Sequence, residues 1–255
     1  MNSSLDTLYH FSDFTEKNYV KLLKLTKKNY DFELFSTKSK NPHVLWRHDV
    51  DFSIHRALSL AKIEHSLDVK STYFIRLHSE FYNILEKPIF EKINEIHNLG
   101  HDIGLHFESN FYDIKSRSEL ERKLKFETKL FKSLFLFDIK SFSFHNPEEG
   151  DVLKINDDKI ANLINCYSKK FKNNYHYCSD SMGYWRFERL ENLLNKNEYS
   201  KLQILIHPEW WQQKSMSPKK RFQRCLDIRL KRNKESWINT IKHHKRMNKV
   251  WSGNW

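Results

Sequence analysis

The feature that most constrains this chain is a succession of short apolar runs that stop at polar residues, separated by stretches of helical spacing. Val44 to His48, Ser71 to Leu77, His101 to Phe107, Ser141 to His145 and Leu202 to Ile206 are rich in β-branched and aromatic residues and read as strands, with Tyr175 to Cys178 as a further one. Thr15 to Asn29, Ser53 to Leu67, Pro88 to Leu99, Ser118 to Phe137 and Trp185 to Asn195 read as helices, and Pro218 opens a long terminal helix. Phe32 to Asn41 reads as a connection. Strands alternating with helices imply a parallel sheet with helical crossovers. With 255 residues the chain is long enough for one α/β domain, a closed or nearly closed (β/α) barrel. In such a barrel, function sits at the C-terminal ends of the strands.

Those strand ends carry the chain's most reactive residues. The first strand runs into Trp46-Arg47-His48-Asp49-Val50-Asp51. On an extended backbone, residues two apart share a face, so Asp49 and Asp51 project together. Two carboxylates held close are costly unless a cation or a shared proton compensates them. A strand-to-helix junction with one Asp as cap is the alternative. His106, His145 and His207 end three further strands, and in a barrel all five side chains converge on one rim. Carboxylate and imidazole donors together suit zinc or a similar divalent ion. A second carboxylate supplies a base and a histidine an acid, which predicts metal-assisted hydrolysis of an amide or ester. No G-x-S-x-G elbow, phosphate-binding loop or dinucleotide fingerprint is present.

Charge is unevenly placed. Residues 214–249 hold 13 Lys and Arg against Asp227 and Glu235, so this segment carries +11 of the chain's net +12. That predicts a solvated helix face or contact with an anionic surface, lipid headgroups ahead of nucleic acid, because the rest of the chain is close to neutral. Three scattered cysteines form no C-x-x-C pair, and Met1 to Asp6 shows no secretory leader. Both fit a cytoplasmic protein, associated with a membrane through its basic segment.

Taken together, Arg47-His48-Asp49-Val50-Asp51, Ser71-Thr72-Tyr73-Phe74, Gly100-His101-Asp102-Ile103-Gly104-Leu105-His106, Ser143-Phe144-His145-Asn146-Pro147, Ser179-Asp180-Ser181 with Trp185-Arg186, and Leu205-Ile206-His207-Pro208-Glu209-Trp210-Trp211 form an ordered set. In order and spacing, over residues 44 to 211, the set resembles the polysaccharide deacetylase family (NodB-homology, carbohydrate esterase family 4). It looks most like a divergent branch associated with bacterial surface-polysaccharide synthesis. The resemblance implies a distorted or incomplete (β/α) barrel and a divalent metal ion, zinc by donor type. It implies Asp49 as general base, Asp51 and His106 as metal ligands and His207 as general acid. Asp180 and Trp185 fall where the family lines the site and orients the base.

Two departures stand out. Asn110 occupies the place of the family's second metal-binding histidine, and Phe144-His145-Asn146-Pro147 replaces an arginine-bearing motif. His145 is the first candidate for the missing ligand. Glu108, on the same strand face as His106, is the second. Arg47 and Arg186 are candidates for orienting the base, and Asn110 remains available to substrate. The expected activity is removal of an acetyl group from a sugar or glycan. The alternative is a non-catalytic carbohydrate-binding descendant of the same fold.

Overall fold

The computed structural model describes residues 8–147 and 154–245. Met1 to Asp6, and residues 246–249 of the basic segment, lie outside the described residues.

The strands are β1 (Asp31–Glu33), β2 (His43–Val50), β3 (Thr72–Ile75), β4 (Asp102–Phe107), β5 (Ser141–Phe144), β6 (Lys159–Ile160), β7 (Leu163–Asn165), β8 (His176–Ser179) and β9 (Lys201–Ile206). They form one sheet in the order β6-β7-β5-β4-β3-β2-β9-β8, with β1 added to the start of β2. Every pairing is parallel except β6 with β7. The outer strands β6 and β8 are not paired to one another, so the sheet curls into an incomplete barrel. This is the distorted (β/α) barrel that the resemblance implies, more open than the closed or nearly closed barrel expected from the alternation alone.

The helices are α1 (Glu16–Thr26), α2 (Ile54–Ser66), α3 (Lys87–Asn98), α4 (Arg117–Phe135), α5 (Lys169–Asn174), α6 (Leu190–Lys196) and α7 (Pro218–His243). Their starts follow from sequence. Thr15, Ser53 and Ser116 each accept a backbone N–H from the first turn of α1, α2 and α4. Pro88 sits in the first turn of α3, where its missing N–H costs nothing. Three expectations shift. Phe32 pairs in β1 rather than lying in a plain connection, and β6–β7 is a hairpin the sequence reading passed over. The predicted helix at Trp185 begins only at Leu190, because Trp185 is drawn into an aromatic cluster with Phe14 and Trp211.

β2 organises the interior. All eight of its residues are buried, and they alternate between two environments. Val44 and Trp46 join Tyr19, Leu60, Ile204 and Ile206 in an apolar layer beneath the helices. Leu45 instead joins Phe35, Phe74, Cys166 and Phe171. That second cluster fills the barrel, so Arg47 and Asp49, two and four residues on, point along the barrel interior. A second core layer packs α2, α3 and α4 against β3, β4 and β5. Phe74 lies in register with Gly104 of β4, and a Cβ at Gly104 would stand 2.4 Å from the Phe74 ring. Only glycine lets that ring fill the barrel there.

Candidate functional site

Five strand ends bring their polar residues together. Ser143 of β5 is in register with His106 of β4, and its hydroxyl donates to Asp49 Oδ2 at 3.1 Å. Arg47 Nη2 donates to the same oxygen at 3.1 Å and to the Tyr167 hydroxyl at 3.0 Å. Burial opposes the guanidinium charge, but the Asp49 carboxylate outweighs it and Arg47 stays firmly protonated. Asp49 Oδ1 is buried with no partner among the described residues. The carboxylate is thus clamped on one oxygen and bare on the other.

Asp51, the next residue on the same face, stands among three histidines. Its Oδ1 lies 3.2 Å from His106 Nε2 and 3.8 Å from His145 Nε2, and its Oδ2 lies 3.9 Å from His207 Nε2. The His106 contact lacks hydrogen-bond alignment, so Oδ1 is buried and unpartnered despite the short distance. Burial alone would raise the Asp51 carboxyl; contact with His106 and the charges of His207, His106 and His145 hold it below the usual carboxylate range instead. Glu108 is engaged elsewhere. It accepts from Arg76 and lies 3.3 Å from His145 Nδ1, fixing the imidazole from behind.

His207 follows β9. Its Nδ1 lies 2.7 Å from Asp180 Oδ1, and its backbone N–H donates to the same carboxylate at 2.9 Å. Trp211 Nε1 donates to Asp180 Oδ2 at 2.8 Å. Burial would depress the imidazole, but the Asp180 hydrogen bond and charge, with Asp51 beyond, raise it to about 10. His207 is therefore held protonated at neutral pH, with Nε2 towards Asp51.

The remaining sequence candidates sit apart from this cluster. Trp185 donates its Nε1 to Asp13 at 3.0 Å and touches the site only through Trp211. Arg186 is exposed, and its guanidinium lies 5.5 Å from the Phe187 ring. Asn110 is exposed at the start of a 3-10 turn, Asn110–Tyr112, beyond the end of β4. Of the two candidate arginines, it is Arg47 that is seen to donate to Asp49.

One residue escaped the sequence reading. Glu209, in the turn after His207, is fully buried with both carboxylate oxygens unpartnered. Burial, then the nearby Asp51 carboxylate, pushes its carboxyl well above the ordinary range. The available signal was a lone acid inside the apolar run Pro208-Glu209-Trp210-Trp211.

Among the described residues no group of three or more His, Cys, Asp and Glu side chains forms a ready-made metal cage. The Asp51–His106–His145 set comes nearest. Donors bound to one tetrahedral ion at about 2.0–2.1 Å lie roughly 3.3 Å apart. The Asp51–His106 separation, 3.2 Å, has that value, and the Asp51–His145 separation, 3.8 Å, exceeds it by about half an ångström. A bare carboxylate oxygen facing two imidazole nitrogens without hydrogen-bond alignment suits adjacent ligands of a divalent ion.

No family model matches the chain, and no curated protein matches it. Solved structures do. A CE4 family pseudoenzyme from Bacillus anthracis is 15% identical, with 78% of this chain and 63% of that one covered and a TM-score of 0.44. A mutant of that pseudoenzyme with restored enzymatic activity is also 15% identical, with 78% and 65% covered and a TM-score of 0.44. The chitin deacetylase from the fungal pathogen Colletotrichum lindemuthianum is 15% identical, with 75% of this chain and 84% of that one covered and a TM-score of 0.43. The chain spans just under two thirds of the length of the two bacterial structures. The fold assignment rests on the strand order and register above.

Proposed function

We propose that the chain is a metal-dependent hydrolase that removes an acetyl group from a sugar or glycan. The observation that carries this reading is the rim itself. His106 and His145 both approach Asp51 Oδ1, His106 also approaches the clamped Asp49, and the protonated His207 approaches Asp51 Oδ2.

In this reading Asp51, His106 and His145 hold the divalent ion, zinc by donor chemistry. Bound there, it would polarise the acetyl carbonyl and make water a better nucleophile. The chain's own residues do the proton work. Arg47 and Ser143 occupy Asp49 Oδ2, which leaves Oδ1 free to take a proton from the attacking water. Water adds to the acetyl carbon. His207 Nε2 then gives its proton to the leaving nitrogen or oxygen as the bond to the acetyl carbon breaks. Asp180 keeps the imidazole oriented and charged until that moment. The products are acetate and a free amine or hydroxyl. The motif order at 44–211 supports an acetylated bacterial surface-polysaccharide sugar as substrate. The basic segment supports work near an anionic membrane.

The test is acetate release from acetylated sugars by protein supplied with Zn²⁺ or Co²⁺. Asp49→Asn should lower kcat by roughly 10²–10⁴-fold with unchanged folding. Glycan binding with neither metal uptake nor acetate release would replace this reading with the non-catalytic one.

A further inference from the structure

A groove beneath the terminal helix is unused by the proposed chemistry. Two cavities, of about 300 and 650 Å³, lie between α2, α3 and α7 and share His55 and Arg232 in their walls. The walls carry Arg56, Lys92, Arg224, Arg229 and Arg232 against a single acid, Glu235.

The charges in this groove do not balance. Arg229 is taken by Glu86, Arg56 by Glu16 at 2.7 Å, and Arg224 donates to the neutral Gln212. Glu235 stands 3.8 Å from Lys231. Among the described residues, neither Arg232 nor Lys92 has a carboxylate at ion-pair distance; Lys92 Nζ donates to the Pro88 carbonyl at 3.2 Å. Both cations line the wider cavity together with His55, whose imidazole is pushed down to about 3 by burial, then by Arg232, Lys92 and Arg229. At neutral pH His55 is an uncharged group, able to donate one ring N–H, set in a positive field. The first turns of α2 and α3 line the same walls, adding helix N-termini of the favourable sign. A solvated basic face would spread its cations over convex surface. Here they surround a concavity large enough for a small ligand.

We propose that this groove binds a phosphate-bearing ligand through Arg232 and Lys92, with the His55 ring N–H completing the site. A phosphate group offers several acceptor oxygens and up to two negative charges, which suits separated cations and a neutral donor. The phosphate belongs either to a soluble phosphate or diphosphate ester or to a lipid headgroup. The proposal goes beyond the deacetylase reading and shares none of its catalytic residues.

Titration calorimetry with inorganic pyrophosphate, on the full chain at low salt, should show saturable one-to-one binding. Arg232→Ala and Lys92→Ala should each weaken it by about tenfold or more, about 1.4 kcal/mol, whereas Lys24→Ala on the far face of α1 should not. Arg232→Lys should recover part of the loss. In the second arm, the protein is floated with phosphatidylcholine vesicles doped with phosphatidic acid. Recruitment that pyrophosphate competes away assigns the site to a lipid phosphate; pyrophosphate binding without recruitment assigns it to a soluble one. No saturable binding in either arm, or binding that ignores both substitutions, overturns the proposal. Acetate release by the Arg232→Ala protein separates this result from the fate of the deacetylase reading.

Discussion

In the proposed deacetylase, individual side chains at the rim divide the labour, and their variants should separate it. His145→Ala should lower zinc content by at least about tenfold, since even outer partners of a ligand contribute that much. Asn110→Ala should leave zinc content unchanged, because Asn110 is exposed beyond β4. Metal analysis of purified protein checks both, and equal loss in the two variants would return the third ligand to position 110. A different readout isolates His207. Its proton is held by Asp180, so activity should fall with one ionisation on the alkaline side as that proton is lost. Asp180→Asn removes the charge that raises the imidazole and should move this limb to lower pH by about one unit or more. A limb that stays in place would mean another group supplies the leaving-group proton. Most of these residues were visible in the sequence because strand ends and period-two spacing identify them locally. The choice of Arg47 over Arg186 was not, since it depends on Ser143 and Tyr167, which reach Asp49 and Arg47 from about a hundred residues away along the chain. Glu209 was missed for a related reason: a charged residue reads as exposed until the elements that bury it are in place.

Elements meet through a polar seam as well as through apolar packing. Glu64, on the inner face of α2, accepts from Tyr19 of α1, and from Ser71 at 2.6 Å and Tyr73 at 2.7 Å; its other contact is His48 Nε2 of β2, at 2.6 Å. The helical spacing of Ile54, Ala57, Leu58, Leu60, Ala61 and Ile63 predicts that inner face, and all of them but the half-buried Ile63 are buried. It gave no reason to bury Glu64, whose partners come from three other elements. Burial works to raise this carboxyl, but His48 by charge and hydrogen bond, with His101 and Ser71, holds it at about 2 against an ordinary 4.5. A depressed acid stabilises the fold fully above its unfolded value, and that contribution is lost as pH falls from about 4.5 towards 2. Glu64→Gln should therefore cost about 3–5 kcal/mol at pH 7, the usual penalty for breaking a buried pair. The gap from wild type should narrow at pH 3. Urea unfolding at the two pH values measures it, and a gap of constant size would show that the seam's contribution is not carried by the Glu64 charge.

At the scale of the whole molecule, one buried arginine ties the terminal helix to the turn after β8 and to the segment before α1. From sequence, Arg221 is one cation among 13 in the basic segment 214–249, counted towards the solvated or membrane-facing surface. In the fold it is fully buried, and its guanidinium donates to the carbonyls of Met216 at 2.8 Å, Gly183 at 3.0 Å and Phe11 at 3.2 Å. It also lies 4.4 Å from the Phe14 ring. Those carbonyls belong to the lead into α7, the turn after β8 and the segment before α1, so a single side chain joins three parts of the chain, two of which also meet in the Thr15–Gln212 bridge. The basic segment thus divides: its N-terminal end is structural, while Lys231, Arg232 and Lys234 further along are exposed. Replacing Arg221 with Leu keeps the bulk and leaves three carbonyls without their donor. Hydrogen bonds to a charged group contribute about 1.5–3 kcal/mol each, and partial rehydration recovers some of that, so a net loss of about 2–4 kcal/mol is expected. For a chain of this size that lowers Tm by roughly 4–16 °C. Arg221→Lys, with one ammonium for three acceptors, should fall between. Circular dichroism melts read both variants, and a Leu variant that melts with wild type would show that α7 is held by its other contacts.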